Sequence, residues 1–365
     1  MTATIDNTTE AEAGALAERL FGSALGAIDL YTVYLGVRLG LYEALAGEVE
    51  RTPRELASAA GIHPRYAREW LEQQTVSGFL ACADREQRAD ARRYHLPAGH
   101  AIALLDQDSP AFTASLALAT AGIGGVTQQL LDAYRTGTGV PYASYGADFR
   151  DGQAGFNRPA FTNFLAADWI ANGLPDIHAR LTTGEPVRVA DIACGAGWST
   201  ITLAKAYPSA RIEGFDVDEA SIADARRNAA AQGVAERVVF EVADAAELTA
   251  GGYDLVCIFE AVHDMSRPVE VLSSVRRAIT PGGTLLVMDE RAADSFAQSD
   301  GPIEAFLYGA SVLHCLPVGM AEQPSAGTGT VMRVDTMRAY AIEAGFAEVT
   351  VLPIEHDLFR FYRCS

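Results

Sequence analysis

The chain has 365 residues, a length that predicts two domains rather than one. Hydrophobic residues make up 49% and charged residues 21%, which is typical of a globular protein and excludes a disordered or fibrous one. The formal net charge of −19 argues against nucleic acid or an anionic membrane as the main partner, because both are bound through clustered Lys and Arg. Five scattered cysteines without a C-x-x-C pair indicate reduced thiols, and the polar N-terminus lacks a signal-peptide pattern, so we expect a soluble cytoplasmic protein.

The first third of the chain predicts a helical domain. Residues 1–15 resemble a loose tail, and apolar residues then recur at helical spacing from Leu16 to Leu45. The run TPRE at residues 52–55 predicts a capping box at the start of a short helix, and a second helix follows it. A polar, charged stretch over residues 83–93 predicts a β-wing. This order of elements describes a winged-helix domain over residues 16–108.

A winged helix suggests DNA binding, but the charge of its second helix favours another role. Arg65 and Arg68 lie in that helix with Glu69 and Glu72 among them, whereas a recognition helix presents a basic face to phosphates. We therefore expect this domain to form a homodimer and to help cover a substrate site, with no nucleic acid as partner.

Residues 109–185 predict a helical linker or substrate lid that is rich in aromatic residues. The stretch over residues 109–131 carries no charge, but its glycines, hydroxyl residues and glutamines predict a buried helix rather than a membrane span. Some of the aromatic side chains are expected to line a pocket where this segment faces the second domain.

From residue 186 to residue 365, short β runs alternate with helical stretches, which predicts an α/β domain with a mostly parallel, doubly wound sheet. The predicted strands are VRVADIA, ARIEGFDV, VVFEVAD, DLVCIFEA and TLLVMDE. The segment EVTVLPIEHDLFRFYRC predicts a closing hairpin and therefore one antiparallel edge.

The first three of these strands end in residues that suit a nucleoside. The run DIACGAG at residues 191–197 has two glycines that let the backbone turn tightly and approach a ligand at a helix N-terminus. Asp216 ends the second strand and could accept both hydroxyls of a ribose, and Asp244 follows the third and could accept an adenine amino group. Asp191, Asp216 or Asp244 alone would be interpreted as a helix-capping carboxylate, but the three acids in register favour a nucleoside site.

The motifs DIACGAG, GFDVD, VADAAEL, YDLVCIFEAVHD and PGGTLLVMDE occur in this order and resemble class I S-adenosylmethionine-dependent methyltransferases. The preceding domain resembles the winged-helix dimerisation domain of small-molecule methyltransferases. The resemblance implies a Rossmann-like sheet of seven strands, a small-molecule acceptor, and S-adenosyl-L-methionine as the cofactor. It also implies a set of cofactor-binding residues: Asp191, Ala193, Gly195, Gly197, Asp216, Asp244, Ala245 and Phe259.

The reacting end is predicted at His263-Asp264, which follow the fourth strand, because ligands bind outside the carboxyl ends of parallel strands. An ordinary histidine has a pKa of about 6.5 and can take up a proton near neutrality. The pair resembles the catalytic histidine of O-methyltransferases with the same winged-helix domain, where it deprotonates the acceptor hydroxyl. Asp289-Glu290, at the end of the fifth strand, would support His263.

His314 opens an alternative to a simple base. His263, His314 and Asp264 would ligate a divalent or ferric ion, which would chelate an α-keto acid and acidify its neighbouring C–H. This arrangement is similar to the α-keto-acid C-methyltransferases of nonribosomal-peptide pathways, of the mannopeptimycin type. Their Arg-Asp pair corresponds here to Arg150-Asp151, so Arg150 would hold the substrate carboxylate through two hydrogen bonds.

The sequence thus predicts first a metal-assisted C-methylation of the β-carbon of an α-keto acid, for a specialised metabolite such as an antibiotic. O-methylation of a phenol or other hydroxyl, with His263 as general base, follows closely. Two other classes stay open: a regulator that binds S-adenosylmethionine and DNA, and an enzyme that uses the sulfonium only for its charge.

Overall fold

The computed structural model describes residues 7–47, 49–248 and 251–365. The chain divides into two compact units, Met1–Ala121 and Gly122–Ser365. The division falls inside the predicted linker over residues 109–185, so most of that segment belongs to the second unit.

The first unit is helical and begins with one long helix, Asn7–Arg38. The predicted tail over residues 1–15 is therefore wrong for residues 7–15, while residues 1–6 lie outside the described part of the chain. Alanine, glutamate and leucine dominate the start of this helix and are strong helix formers, and Glu10 in its first turn favours the positive end of the helix dipole. The helices that follow are Leu41–Ala44, Pro53–Ala60, Pro64–Val76, Ala98–Leu105 and Ser115–Gly125.

The predicted capping box and wing are both present in the first unit. The backbone N–H of Glu55 donates to the Thr52 hydroxyl at 3.3 Å, and the Thr52 N–H donates to the Glu55 carboxylate at 2.7 Å, which completes the capping box. Strands β1 (Ala81–Cys82) and β2 (Tyr94–His95) pair antiparallel and form the wing.

The N-terminal helix leaves an apolar stripe uncovered. Thr8–Arg38 is long and apolar enough to cross a membrane by length and composition, with a mean hydropathy of 1.4, and only 11% of the tested window is buried. Leu16, Leu20, Tyr31 and Leu35 are exposed and recur at intervals of three or four residues or their sums, so they lie along one side of the helix.

The second unit is built on a seven-stranded sheet. Its strands are β3 (Arg188–Ile192), β4 (Arg211–Asp216), β5 (Val238–Val242), β6 (Tyr253–Phe259), β7 (Ile279–Glu290), β8 (Val349–Val351) and β9 (Phe359–Cys364). Their order across the sheet is β5-β4-β3-β6-β7-β9-β8. Strands β3 to β7 run parallel, whereas β9 is antiparallel to both β7 and β8. The doubly wound sheet and the closing hairpin are thus confirmed, but the antiparallel strand β9 lies between β7 and β8, so the predicted antiparallel edge strand is wrong in its position.

Both faces of this sheet are covered. Leu255, Cys257 and Phe259 of β6 belong to one apolar core, and the alternate residues Val256 and Ile258 belong to another. The helical segments of this unit are Thr127–Thr136, Tyr142–Tyr145, Gly146–Ala160, Phe161–Ile170, Ala171–Gly173, Pro175–Thr182, Trp198–Ala206, Glu219–Ala231, Ala235–Arg237, Ala245–Glu247, Val262–Asp264, Pro268–Ala278, Phe296–Gln298, Gly301–Ala310, Ser311–Cys315, Leu316–Gly319 and Val334–Glu343.

The strand order reverses beside β3, which has β4 on one side and β6 on the other. In doubly wound sheets ligands bind at this reversal, outside the carboxyl ends of the strands. The topology therefore places the tips of β3, β4, β5 and β6 around one crevice.

Candidate active site

A cavity of about 540 Å³ lies at the carboxyl ends of these strands. Six of the eight residues predicted to bind a cofactor line it: Ala193, Gly195, Asp216, Asp244, Ala245 and Phe259. Asp191 and Gly197, the other two, do not line the cavity and lie behind its wall. The sheet therefore brings the predicted nucleoside residues to one place.

The turn after β3 has an unusual backbone that shapes this wall. Ala193, Gly195 and Gly197 all have positive φ angles, of 56°, 52° and 79°. A Cβ added to Gly195 would meet open space, whereas one added to Gly197 would come within 2.8 Å of Phe240 and 2.9 Å of Ala225. Gly195 thus keeps room for a ligand, and Gly197 lets the next helix pack closely on the sheet.

Asp191 supports this turn from beneath. Its carboxylate is fully buried and accepts hydrogen bonds from the hydroxyls of Ser199 and Thr200, each at 2.6 Å. Burial raises the pKa of Asp191 to about 6, although the two hydroxyl donors oppose that rise. Asp191 therefore ties the strand end to the first turn of the following helix.

Asp216 is fixed at the tip of β4 by backbone donors. One of its carboxylate oxygens accepts the N–H of Gly195 at 2.8 Å and the other accepts the N–H of Asp218 at 2.9 Å. Burial raises the pKa of Asp216, and these N–H donors oppose the rise. Each oxygen keeps a further lone pair for a ligand hydroxyl.

Asp244 has two structural partners of its own. One oxygen accepts the N–H of Ala246 at 2.8 Å and caps the short turn after β5, as an ordinary strand-end carboxylate would. The other oxygen pairs with the guanidinium of Arg267 at 2.7 Å. Asp244 still lines the cavity, so it combines a structural role with a position at the nucleoside site.

His263 lies behind the cavity wall in a buried cluster of charged groups. Its Nδ1 is 2.8 Å from both Asp289 Oδ1 and Glu290 Oε2, and the side chain is 2% exposed. Burial opposes a charge on the ring, but the carboxylates of Glu290 and Asp289 outweigh it and hold the pKa of His263 well above its usual value. The ring is therefore a cation near neutral pH, the state opposite to that of a ready general base.

The structure does not gather the predicted metal ligands His263, His314 and Asp264 into one group. Among the described residues, the set of three or more possible ligands with atoms within 4.8 Å of one another is His263, Asp289 and Glu290. The cause is local, because Asp289 and Glu290 at the end of β7 reach the His263 ring first.

His314 is held among aromatic rings. It stacks on Phe149 with ring centroids 4.1 Å apart, and the edge contact with Tyr145 has a centroid distance of 4.7 Å. Burial and, to a smaller extent, the charge of the nearby His263 lower the pKa of His314 to about 3, so the ring is neutral. Its Nε2 has no hydrogen-bond partner and Nδ1 lies 3.5 Å from the thiol of Cys315.

Two carboxylates stand on the wall in front of His263. Asp264 and Glu260 both line the cavity, and burial raises the pKa of each to about 7, while the charge of His263 lowers it. Glu260 follows β6 directly, has a positive φ of 50°, and receives a hydrogen bond from the Asn157 amide. Sequence reasoning missed Glu260, although an acid placed immediately after a buried strand was a usable signal.

Arg150 is placed at another part of the cavity from His263. Its Nε lies 3.6 Å from Asp224 and 3.9 Å from Asp218, which follow the tip of β4. The guanidinium is thus held by two carboxylates near Asp216, and its predicted role toward a substrate carboxylate stays a prediction.

The strand order and this cavity define the class I methyltransferase fold, joined here to an N-terminal winged helix. Residues 184–311 match the family described as a methyltransferase domain. Residues 9–105 match the Rv2258c-like winged helix–turn–helix domain. The chain therefore has a methyltransferase domain preceded by a winged-helix domain of that family, as the sequence motifs predicted.

Curated relatives match over part of the chain. Trans-aconitate 2-methyltransferase of Methylobacterium nodulans is 34% identical over 122 residues, which are 33% of this chain and 45% of that protein. The 27-O-demethylrifamycin SV methyltransferase of Amycolatopsis mediterranei is 35% identical over 104 residues, 28% of this chain and 38% of that protein. The chain thus spans less than half the length of these relatives.

Solved structures share the fold over nearly the whole chain. Mitomycin 7-O-methyltransferase is 21% identical with a TM-score of 0.67, and the match covers 97% of this chain and 100% of that one. Human N-acetylserotonin methyltransferase in complex with S-adenosylmethionine is 16% identical with a TM-score of 0.63, covering 100% of this chain and 99% of that one.

Proposed function

We propose that this protein is a methyltransferase that uses S-adenosylmethionine to methylate a small-molecule acceptor. The observation that carries the proposal is the convergence of Gly195, Asp216, Asp244 and Phe259 on one cavity at the reversal of the sheet. Two of the similar proteins are named for rifamycin and mitomycin substrates, which supports an acceptor in specialised or antibiotic metabolism.

The residues of the cavity fit the cofactor. Asp216 keeps lone pairs for the two ribose hydroxyls, and the open space above Gly195 leaves room beside the turn. Ala245 and Phe259 provide apolar surface, and Asp244 lies beside Ala245 to meet the adenine edge. When bound, the cofactor supplies a methyl group made electrophilic by a positively charged sulfur.

The chain must then position an acceptor and take its proton. Asp264 lines the cavity, and its pKa of about 7 lets it accept a proton near neutrality. His263, Asp289 and Glu290 form the layer behind it, where His263 is a fixed positive charge that stabilises the ionised form of Asp264. We therefore assign the proton acceptor to Asp264 and a positioning role to His263, and we propose transfer to a hydroxyl.

Calorimetric titration with S-adenosylhomocysteine, the demethylated cofactor, tests the proposal. We expect Asp216→Ala to weaken binding by about ten- to a hundredfold, because hydrogen bonds from a charged group to the ribose are lost. Glu236→Ala, which removes an exposed acid away from the cavity, is the control and should bind as the unchanged protein does. No heat of binding to the unchanged protein would contradict the proposal.

Metal-assisted C-methylation of an α-keto acid is the second candidate. The observation that favours it is the set His263, Asp289 and Glu290, whose atoms lie close enough to share one ion. The set predicted from the sequence, His263, His314 and Asp264, is not gathered closely enough to hold one ion. Elemental analysis of protein purified without chelator tests this candidate, and fully active, metal-free protein would exclude it.

We also propose that the protein is a homodimer joined through its N-terminal domain. The uncovered stripe of Leu16, Leu20, Tyr31 and Leu35 needs a partner surface of its own kind. The helix carries Glu10, Glu12, Glu18 and Asp29 but only Arg19 and Arg38, and this acidic balance disfavours an anionic membrane. A second copy of the chain is the occupant that these features fit.

A further inference from the structure

The charges around the cavity are strongly unbalanced. Among the described residues, seven carboxylates and two guanidinium groups line it, and no lysine does. A ligand that enters such a cavity meets a negative potential, which favours cations and disfavours carboxylic acids.

Each guanidinium group that lines the cavity has acidic neighbours. Arg150 lies between Asp218 and Asp224, beyond the tip of β4. Arg267 pairs with Asp244 at 2.7 Å and with Glu270 at 3.0 Å. Both positive charges therefore lie beside acids that follow β4 and β5, although the buried Nε of Arg150 has no hydrogen-bond partner.

Glu260 lines the cavity after β6 and is a carboxylate that the proposed proton transfer does not use. The described side-chain partner of Glu260 is the neutral amide of Asn157. The amide oxygen of Asn157, Oδ1, is buried and accepts no hydrogen bond. The cation behind the wall, His263, is already shared by Asp289 and Glu290. Glu260 and the orphaned Asn157 oxygen together form a place for a group that carries several N–H donors.

Apolar and aromatic side chains line part of the same cavity. Tyr142, Phe161 and Val318 line it, and the Tyr142 hydroxyl is occupied by Gln153 at 2.8 Å. A flat ring suits such walls, and ligand pockets commonly combine apolar walls with a few polar groups that fix orientation.

From these contacts we infer that the acceptor is an aromatic molecule with a protonated amine, and that Glu260 binds the ammonium group. This inference rests on the proposed methyltransferase function and adds the chemical class of its substrate. Glu260 becomes a residue that determines specificity, distinct from Asp264, which takes the proton of the reacting group.

Three phenols that differ in one substituent test the inference. Tyramine carries an ammonium group, para-cresol a methyl group and para-hydroxyphenylacetate a carboxylate. We expect calorimetry on the protein saturated with S-adenosylhomocysteine to show tyramine binding at least about tenfold more tightly than either analogue, because a partly buried ion pair contributes on this scale.

The variants Glu260→Gln and Glu260→Asp separate charge from shape. Glu260→Gln should remove the preference for tyramine, Glu260→Asp should retain part of it, and the exposed control Glu236→Gln should leave it unchanged. Thermal unfolding of each variant checks that it is folded. If Glu260→Gln does not fold, the preference of the unchanged protein and that of Glu260→Asp decide the matter.

Several results would overturn the inference. They are no binding of tyramine, equal binding of the three phenols, tighter binding of the carboxylate, or an unchanged preference in folded Glu260→Gln. A loss of affinity for S-adenosylhomocysteine in folded Glu260→Gln, while the unchanged protein binds it, would also overturn the inference, since Glu260 would then hold the ammonium group of the cofactor's own amino-acid portion. Failure of the proposed function differs from all of these, because S-adenosylhomocysteine itself would then not bind.

Discussion

Asp264 is one residue whose protonation state controls the proposed reaction. Burial raises its pKa to about 7, so the carboxyl is protonated below that pH and able to accept a proton above it. We expect kcat to rise with pH through about 7. In Asp264→Asn, kcat should fall by about a hundredfold or more and this rise should be absent, because general-base catalysis contributes on that scale.

The control for Asp264→Asn is its affinity for S-adenosylhomocysteine, which should stay close to that of the unchanged protein. A rise in kcat that persists in the variant would assign the proton to another group. His263 would show its rise at a higher pH than Asp264, because the carboxylates of Glu290 and Asp289 raise its pKa well above the usual value.

The close packing around Gly197 predicts that even one added Cβ lowers the stability of the fold. An alanine there would lie within 2.8 Å of Phe240 and 2.9 Å of Ala225, in a backbone with φ of 79°. Gly233 has a similar φ of 72° but open space around it, so Gly233→Ala is the matched control for backbone strain alone. Overpacking commonly costs about 1–3 kcal/mol, so Gly197→Ala should lower the free energy of unfolding by that much more than Gly233→Ala. Equal losses in chemical denaturation would contradict this.

The apolar stripe of the N-terminal helix predicts that a charge placed in it disrupts the proposed dimer. Leu20→Glu puts a charge into the apolar stripe, and we expect light scattering to show the mass of a monomer where the unchanged protein has the mass of a dimer. Leu25→Glu is the matched control, because position 25 points well away from the stripe on a helix of 3.6 residues per turn. An unchanged mass for Leu20→Glu would exclude this helix as the dimer contact.

The elements show what could be predicted from the sequence and what could not. The five parallel strands were predictable because short β runs alternate with helical stretches along the chain, and a polar residue stands at or next to the strand tip, such as Asp216 at the end of β4. The start of the first helix was missed because its threonines and glutamates resemble a polar tail when no apolar periodicity accompanies them.

In the candidate site, too, some residues could be predicted from the sequence and others could not. Strand-tip residues such as Gly195 and Asp216 were predictable because parallel strands bring their carboxyl ends to one edge. The contacts of the His263 side chain were not predictable. Its direction depends on the short turn Val262–Asp264, and Asp289 and Glu290 reach it from the neighbouring strand. Sequence spacing carries no information about such side-chain directions.

The charge of the whole molecule argues against the remaining alternative, a DNA-binding regulator. The net charge is −19, and arginines of the winged helix are paired with acids, Arg65 with Glu69 and Arg92 with Glu72. We expect no retardation of duplex DNA at physiological salt, because phosphate binding requires unpaired positive charge. Salt-sensitive retardation of duplex DNA would contradict this expectation and would support a role as a DNA-binding regulator.

The cavity is assembled from two groups of residues that are far apart in the sequence. The tips of β3, β4 and β5 make its nucleoside side, while Tyr142, Asn157 and Val318 come from helical segments that precede and follow these strands in the chain. Substitutions in the second group leave the glycine turn and Asp216 untouched. A small library of substitutions at these three positions is therefore a practical way to change which acceptor the protein methylates.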